Sequence, residues 1–171
     1  MKRFNIIFLL LAVLTGMAVS GFDCSKTPDN SFFVLKRFSS IPAVVRSVVF
    51  SSDCSASIHD PINTTTPYVY QMTSGECDSL KSFCQSYDSF DTLYNDTTMH
   101  IPNPSVIVME FHANGELVKS IRIVEFPKIA NGLMPLLQCA GNIETRGLNM
   151  WKQQQMENIR EEKEKEKWEG K

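Results

Sequence analysis

The sequence predicts an α/β domain, a mixed sheet with flanking helices, followed by a charged C-terminal helix. Three observations predict it. Asn114-Gly115 separates two β-branched and aromatic runs, Val106, Ile107, Val108 and Phe111 before it, and Leu117, Val118, Ile121, Ile123, Val124 and Phe126 after it. Asn-Gly suits the positive-φ positions of a tight turn, so the pattern reads as a β-hairpin. Apolar residues fall at helical spacing twice: Cys77, Leu80, Phe83, Cys84, Tyr87 and Tyr94, then Ile129, Leu133, Leu136 and Leu137. Beyond Arg146 the composition shifts to six Lys or Arg and six Glu in residues 152–171, with Trp151, Met156, Ile159 and Trp168 among the few apolar side chains.

The chain has 171 residues, enough for one domain with a core. Residues 1–20 stand apart. Lys2 and Arg3 precede an apolar run, and Ala18-Val19-Ser20 forms a small-residue cleavage pattern. Together they read as a secretory signal peptide, with the mature chain starting at Gly21 or Phe22. The apolar run is short beside the ~20 residues of a spanning helix. Asp23 before Cys24 fits a lipoprotein signal poorly, and no second segment is long and apolar enough to anchor in a membrane.

Residues 21–30 are polar and expected to be irregular. Residues 31–38 (SFFVLKRF) suit a strand or a short helix, and residues 43–51 (AVVRSVVFS) a strand. Residues 53–66 read as a loop and residues 67–72 (PYVYQM) as a short strand. Ser74 is the expected cap of the helix that follows. Residues 88–103 read as polar loop. Gly132 and Pro135 are expected to weaken the helix carrying Leu133 and Leu136. The division is therefore signal peptide 1–20, α/β domain 21–145 and charged helical tail 146–171. The tail is expected to be solvated and dispensable; Trp151, Met156 and Ile159 are the residues that would dock if it is not.

All five cysteines, Cys24, Cys54, Cys77, Cys84 and Cys139, follow the signal peptide. Secretion favours disulfides, and an odd count leaves one thiol unpaired within the chain. Seven residues on one helix separate Cys77 from Cys84 by ~10 Å, beyond the ~7 Å limit for a bridge. They are expected to pair elsewhere. Asn63-Thr64-Thr65 and Asn95-Asp96-Thr97 are glycosylation sequons, which predict a glycoprotein. Taking Lys2 and Arg3 from the 17 basic residues leaves 15 against 19 acidic, a net of −4. That balance gives no footprint for nucleic acid or an anionic membrane.

One constellation suggests chemistry. A strand ending in Ser51-Ser52-Asp53-Cys54 would leave Cys54 at a helix start, where backbone N–H groups favour a thiolate. Ser57 would donate a hydrogen bond to it. With Pro104 ahead of the late hairpin, this resembles the thioredoxin-like fold over residues 44–139. The resemblance implies that Cys54 matches the first motif cysteine, Ser57 the second position and Pro104 the cis-proline facing the motif. A serine in place of the resolving cysteine excludes dithiol chemistry there.

His59, His100 and His112 are scattered, and no metal or cofactor motif is present. The expected function is therefore a secreted or endoplasmic-reticulum-lumenal thioredoxin-like protein, not a dithiol oxidoreductase. It would bind a polypeptide partner without cofactor, with a mixed disulfide at an unpaired Cys54 as one route; the competing reading of Cys54 is a structural disulfide. The alternative is a secreted disulfide-stapled binding domain with no redox role. A monothiol isomerase or reductase using Cys54 is a third reading.

Overall fold

The computed structural model describes residues 30–38, 44–62, 64–95, 105–124 and 132–169. Residues 1–20, read as a signal peptide, and Cys24, Asn63, His100, Pro104 and Phe126 lie outside them. The described residues form a mixed seven-stranded sheet and two α-helices. The strands are β1 (Ser31–Phe38), β2 (Val44–Ser51), β3 (Ser55–His59), β4 (Tyr68–Gln71), β5 (Leu93–Asn95), β6 (Val106–Ala113) and β7 (Glu116–Val124). Their order is β4-β3-β2-β1-β6-β7-β5. Neighbours are antiparallel except β5, which pairs parallel with β7 through Leu93–Arg122, Tyr94–Ile123 and Asn95–Val124. Helix α1 is Ser74–Cys84 and α2 is Leu133–Glu169.

The hairpin forms where the sequence places it. Asn114 (φ 54°) and Gly115 (φ 80°) both take positive φ between β6 and β7. Residues 31–38 resolve to strand β1, whose aromatic and β-branched side chains suit a pleated surface. Two strands arise in stretches read as loop. In β3, Ala56 and Ile58 are buried while Ser55, Ser57 and His59 are half-exposed, a period-two alternation built from small residues. In β5, three residues complete the edge beside β7.

Alternation turns one sheet face inward. Phe33, Leu35, Val48, Phe50, Ala56, Ile58, Met109, Phe111, Ile121 and Ile123 are all at most 1% exposed. Both helices join this cluster, α1 through Cys77, Leu80 and Cys84, and α2 through Leu133, Leu136, Ala140 and Ile143. The architecture is one sheet with one helical layer across it. On the other face, Lys36 and Glu110 form a 2.6 Å ion pair across β1 and β6.

Helix α1 is shorter than its apolar spacing predicts. It ends at Cys84, Tyr87 begins a 3₁₀ turn (Tyr87–Ser89), and Tyr94 lies in β5. Its cap is Thr73 rather than Ser74. The Thr73 hydroxyl accepts from Glu76 N, and the Glu76 carboxylate accepts from Thr73 N, a reciprocal capping box.

Helix α2 is longer than predicted, because neither expected breaker breaks it. Pro135 is its third residue, and the first turn's N–H groups have no intrahelical acceptor to lose. The helix runs unbroken through residue 146, where the sequence places a tail boundary. Glu144, 4% exposed, anchors it to the sheet. Arg37 of β1 donates to the Glu144 carboxylate at 2.8 and 3.0 Å, and Arg46 of β2 at 3.4 Å. Trp151 stacks on Tyr68 with ring centroids 6.1 Å apart, so the first part of the charged segment is packed. Met156 and Ile159 are exposed.

Gly147 permits this docking. A Cβ there would overlap Cζ and Cε1 of Tyr70 and lie 2.7 Å from its hydroxyl oxygen. The ring cannot swing away: its hydroxyl donates to Ile143 O at 2.8 Å, and the Arg146 guanidinium lies 5.5 Å from its centroid. Gly→Ala in a helix interior ordinarily gains about 1 kcal/mol. Here Gly147→Ala should instead destabilise by roughly 1–3 kcal/mol, the cost of overpacking. Urea unfolding measures the sign; a gain in stability would show that α2 does not approach Tyr70 this closely.

Candidate functional site

The corner around Cys54 is built differently from a strand-to-helix motif. Three residues, Ser52, Asp53 and Cys54, join β2 to β3, and Cys54 N donates to Ser51 O at 3.0 Å. Cys54 takes φ 64°. A tight turn followed by a left-handed residue is a common three-residue hairpin connection. A non-glycine residue there costs on the order of 1–3 kcal/mol.

Neighbouring groups hold it in place. Ser55 donates to the Asp53 carboxylate from its hydroxyl at 2.7 Å and its amide at 3.0 Å. These bonds hold the Asp53 carboxyl below its ordinary value. Gln71 Nε2 donates to Asp53 O and Met72 N to Cys54 O, both at 2.9 Å. Lys81 Nζ donates to Ser52 O at 2.9 Å and lies 3.8 Å from Cys54 Sγ.

Cys54 itself is bonded to Cys77 of α1, with Cα atoms 5.5 Å apart. This corrects the expectation of an unpaired Cys54 at a helix start. The residue is followed by β3, not a helix, and its sulfur is committed within the chain. The signal in the sequence was the Ala56–Ile58 alternation directly after it. Ser57 is not brought to Cys54. It lies in β3 opposite Val49 and Val69, on the face away from the buried Ala56 and Ile58. Pro104 lies outside the described residues. As helix geometry requires, Cys77 and Cys84 share α1 without bonding to each other.

The two other described cysteines, Cys84 and Cys139, are free thiols. Burial pushes both up, with the Cys139 thiol adding to the rise at Cys84 and the Glu76 carboxylate to that at Cys139. Raised thiols stay protonated and are poor nucleophiles.

Two concave surfaces are present, one beside this corner and one at the far end of β3. A pocket of about 330 Å³ opens beside the disulfide, walled by Phe32, Tyr87, Phe111 and Val118, with Lys81, Cys84, Gln85 and His112 at its margin. The His112 side chain is 6% exposed and 3.7 Å from Glu110. The larger surface is a cleft of about 620 Å³ between the β3–β4 connection and α2. Pro61, Ile62, Thr64, Thr65, Thr66 and Pro67 form one wall, and Gln154, Gln155 and Asn158 the other, with Tyr68 and Trp151 between them. Sequence reasoning missed this cleft, although it named Trp151 as a residue that would dock. The helix side of the cleft exists only because α2 continues past residue 145.

Arg146 sets the height of α2 against α1. Its guanidinium donates to both Glu76 oxygens, Nε at 2.9 Å and Nη2 at 2.7 Å, and to Gln71 O at 3.1 Å. That last bond caps a carbonyl of the edge strand β4. Trp151 follows just over one turn later.

Among the described residues no group of three His, Cys, Asp or Glu side chains is placed to hold a metal ion, and no helix is long and apolar enough to cross a membrane. No family model, curated protein or solved structure matches the chain.

The Glu76–Arg146 pair carries a pH dependence. Burial raises the Glu76 carboxyl, but hydrogen bonds from Arg146 and Thr73 outweigh it and leave the group below its ordinary value. A depressed native pKa stabilises the fold above the unfolded value of about 4.3, and the contribution is lost as pH falls through the native value. Wild type should therefore lose its Tm advantage over Glu76→Gln as the pH drops from about 5 towards 3. Parallel melting curves for the two proteins across that window would contradict the coupling.

Proposed function

We propose that the protein is a secreted or lumenal disulfide-stapled domain that binds a polypeptide partner and has no redox role. The observation that carries this reading is the Cys54–Cys77 bond. It removes the one cysteine with a plausible nucleophilic setting, and burial holds the Cys84 and Cys139 thiols protonated. The signal-like residues 1–20 and the disulfide both suit an oxidising compartment. The thioredoxin-like fold stays part of the proposal; in this reading Cys54 carries no activity.

The cleft beside Trp151 is the recognition surface in this reading. Aromatic side chains dominate binding energy when they sit centrally in an interface. The carboxamides of Gln154, Gln155 and Asn158 offer donors and acceptors, and the hydroxyls of Thr64, Thr65 and Thr66 add more. Together they suit the alternating donors and acceptors of a peptide main chain. A shallow cleft with an aromatic floor fits an extended segment better than a small molecule, which prefers a deeper, more enclosed site.

Two measurements test the proposal. The native protein should show no catalysis of insulin reduction by dithiothreitol above the uncatalysed rate; turnover would restore a redox role. Peptides selected by display against the native domain should bind Trp151→Ala at least tenfold more weakly, about 1.4 kcal/mol. Equal binding to both would remove the cleft as the recognition surface.

A further inference from the structure

The two free thiols sit opposite one another across the helix pair. Helices α1 and α2 run antiparallel, and contacts at both ends show it. At one end Glu76 pairs with Arg146 at 2.7 Å. At the other, Phe90, just beyond α1, lies against Gly132 at the start of α2, 3.3 Å from where a Cβ would sit. Cys84 is eight residues on from Glu76 and six before Phe90. Cys139 is seven residues back from Arg146 and seven after Gly132. At 1.5 Å per residue the steps from the ion pair are ~12 Å along α1 and ~10.5 Å along α2, so the two cysteines arrive at the same level.

Both also border the core beneath the helix pair. Seven residues are about two helical turns, so Cys139 projects from the side of α2 that carries Arg146, which is the side meeting α1. Cys84 lies on the stripe of α1 with Cys77 and Leu80, and both cysteines border the same core cluster. The influence of the Cys139 thiol on Cys84 agrees with that proximity.

We propose that Cys84 and Cys139 form a second disulfide in the mature protein, stapling α1 to α2 as Cys54–Cys77 staples α1 to the sheet. The oxidant is a small disulfide of the oxidised-glutathione class. Cys84 attacks as thiolate and forms a mixed disulfide, releasing one equivalent of oxidant thiol. Cys139 then attacks the Cys84 sulfur and releases the second. One S–S bond forms in the protein, one breaks in the oxidant, and the two thiol protons end on the released thiols. Because burial keeps the closed-state thiols protonated, the exchange belongs to folding, before the helix pair shuts. The arithmetic of five cysteines then leaves Cys24 as the odd thiol, so any covalent link to another chain passes through Cys24.

The test is a thiol count on the full mature chain after refolding with oxidised glutathione. Denatured under non-reducing conditions, the protein should titrate one thiol, and Cys24→Ser none. Three thiols in wild type, or two in Cys24→Ser, would overturn the proposal. Non-reducing peptide mapping of wild type gives an independent readout should the variant fail to fold. A Cys84–Cys139 linked peptide supports the bridge; Cys24 linked to either Cys84 or Cys139 overturns it.

Discussion

The Cys54–Cys77 bond is the constraint on which the rest of the arrangement depends. It closes a 23-residue separation, and in the chain-entropy picture such a bridge contributes about 3 kcal/mol. That offsets the left-handed conformation forced on Cys54. Its larger consequence is positional. The bond fixes the first turns of α1 against the β2–β3 corner. Glu76, one residue before Cys77, then presents its carboxylate to Arg146, and Arg146 fixes α2 along its axis. One turn further, Trp151 meets Tyr68, and the wall of the cleft is in place. A covalent bond at one corner of the sheet thus bears on the cleft at another.

The sheet side of that arrangement is polar as well as apolar. Glu144 is nearly buried, yet it is satisfied by Arg37 and Arg46 from adjacent strands. Buried charges persist only when paired, and this pair fixes the rotation of α2 over the core. Tyr70 fixes its distance, since its hydroxyl holds the Ile143 carbonyl and its ring occupies the space a side chain at position 147 would need. Past Trp151 the helix continues as an exposed rod rich in both charges. Arg160 and Glu164 pair along it at 3.4 Å, the kind of local support an exposed helix has available.

What was legible in the sequence follows from where side-chain pattern and backbone demand coincide. Asn114-Gly115 announced the hairpin because few residues adopt positive φ cheaply. A sheet followed by a charged C-terminal helix was readable from β-branched runs and composition, but its parallel pair was not, because β5 lies in a polar stretch. Strand β3 was not, because Ser, Ala and His carry little β-propensity and only Ala56 and Ile58 mark its inner face. Helix α1 was overextended because Tyr87 and Tyr94 happen to continue a helical spacing that the backbone leaves at Cys84. The unity of α2 was hidden by Gly132 and Pro135, residues that ordinarily weaken helices, and by the change of composition after Arg146. Here Pro135 sits where no hydrogen bond is lost, and Gly147 answers a demand from Tyr70, 77 residues earlier in the chain. The Cys54 setting was misread for the same reason: its partner, Cys77, is supplied by tertiary packing and not by local sequence.

One chain of couplings runs from the disulfide through Glu76 and Arg146 to the cleft at Trp151. Amide hydrogen exchange on Cys54→Ser/Cys77→Ser, compared with wild type, tests it most directly. The account predicts that protection falls in α1 and in residues 143–151 of α2, while β1, β6 and β7 keep theirs. Unchanged protection around Trp151 in the variant would contradict the claim that the disulfide positions the cleft.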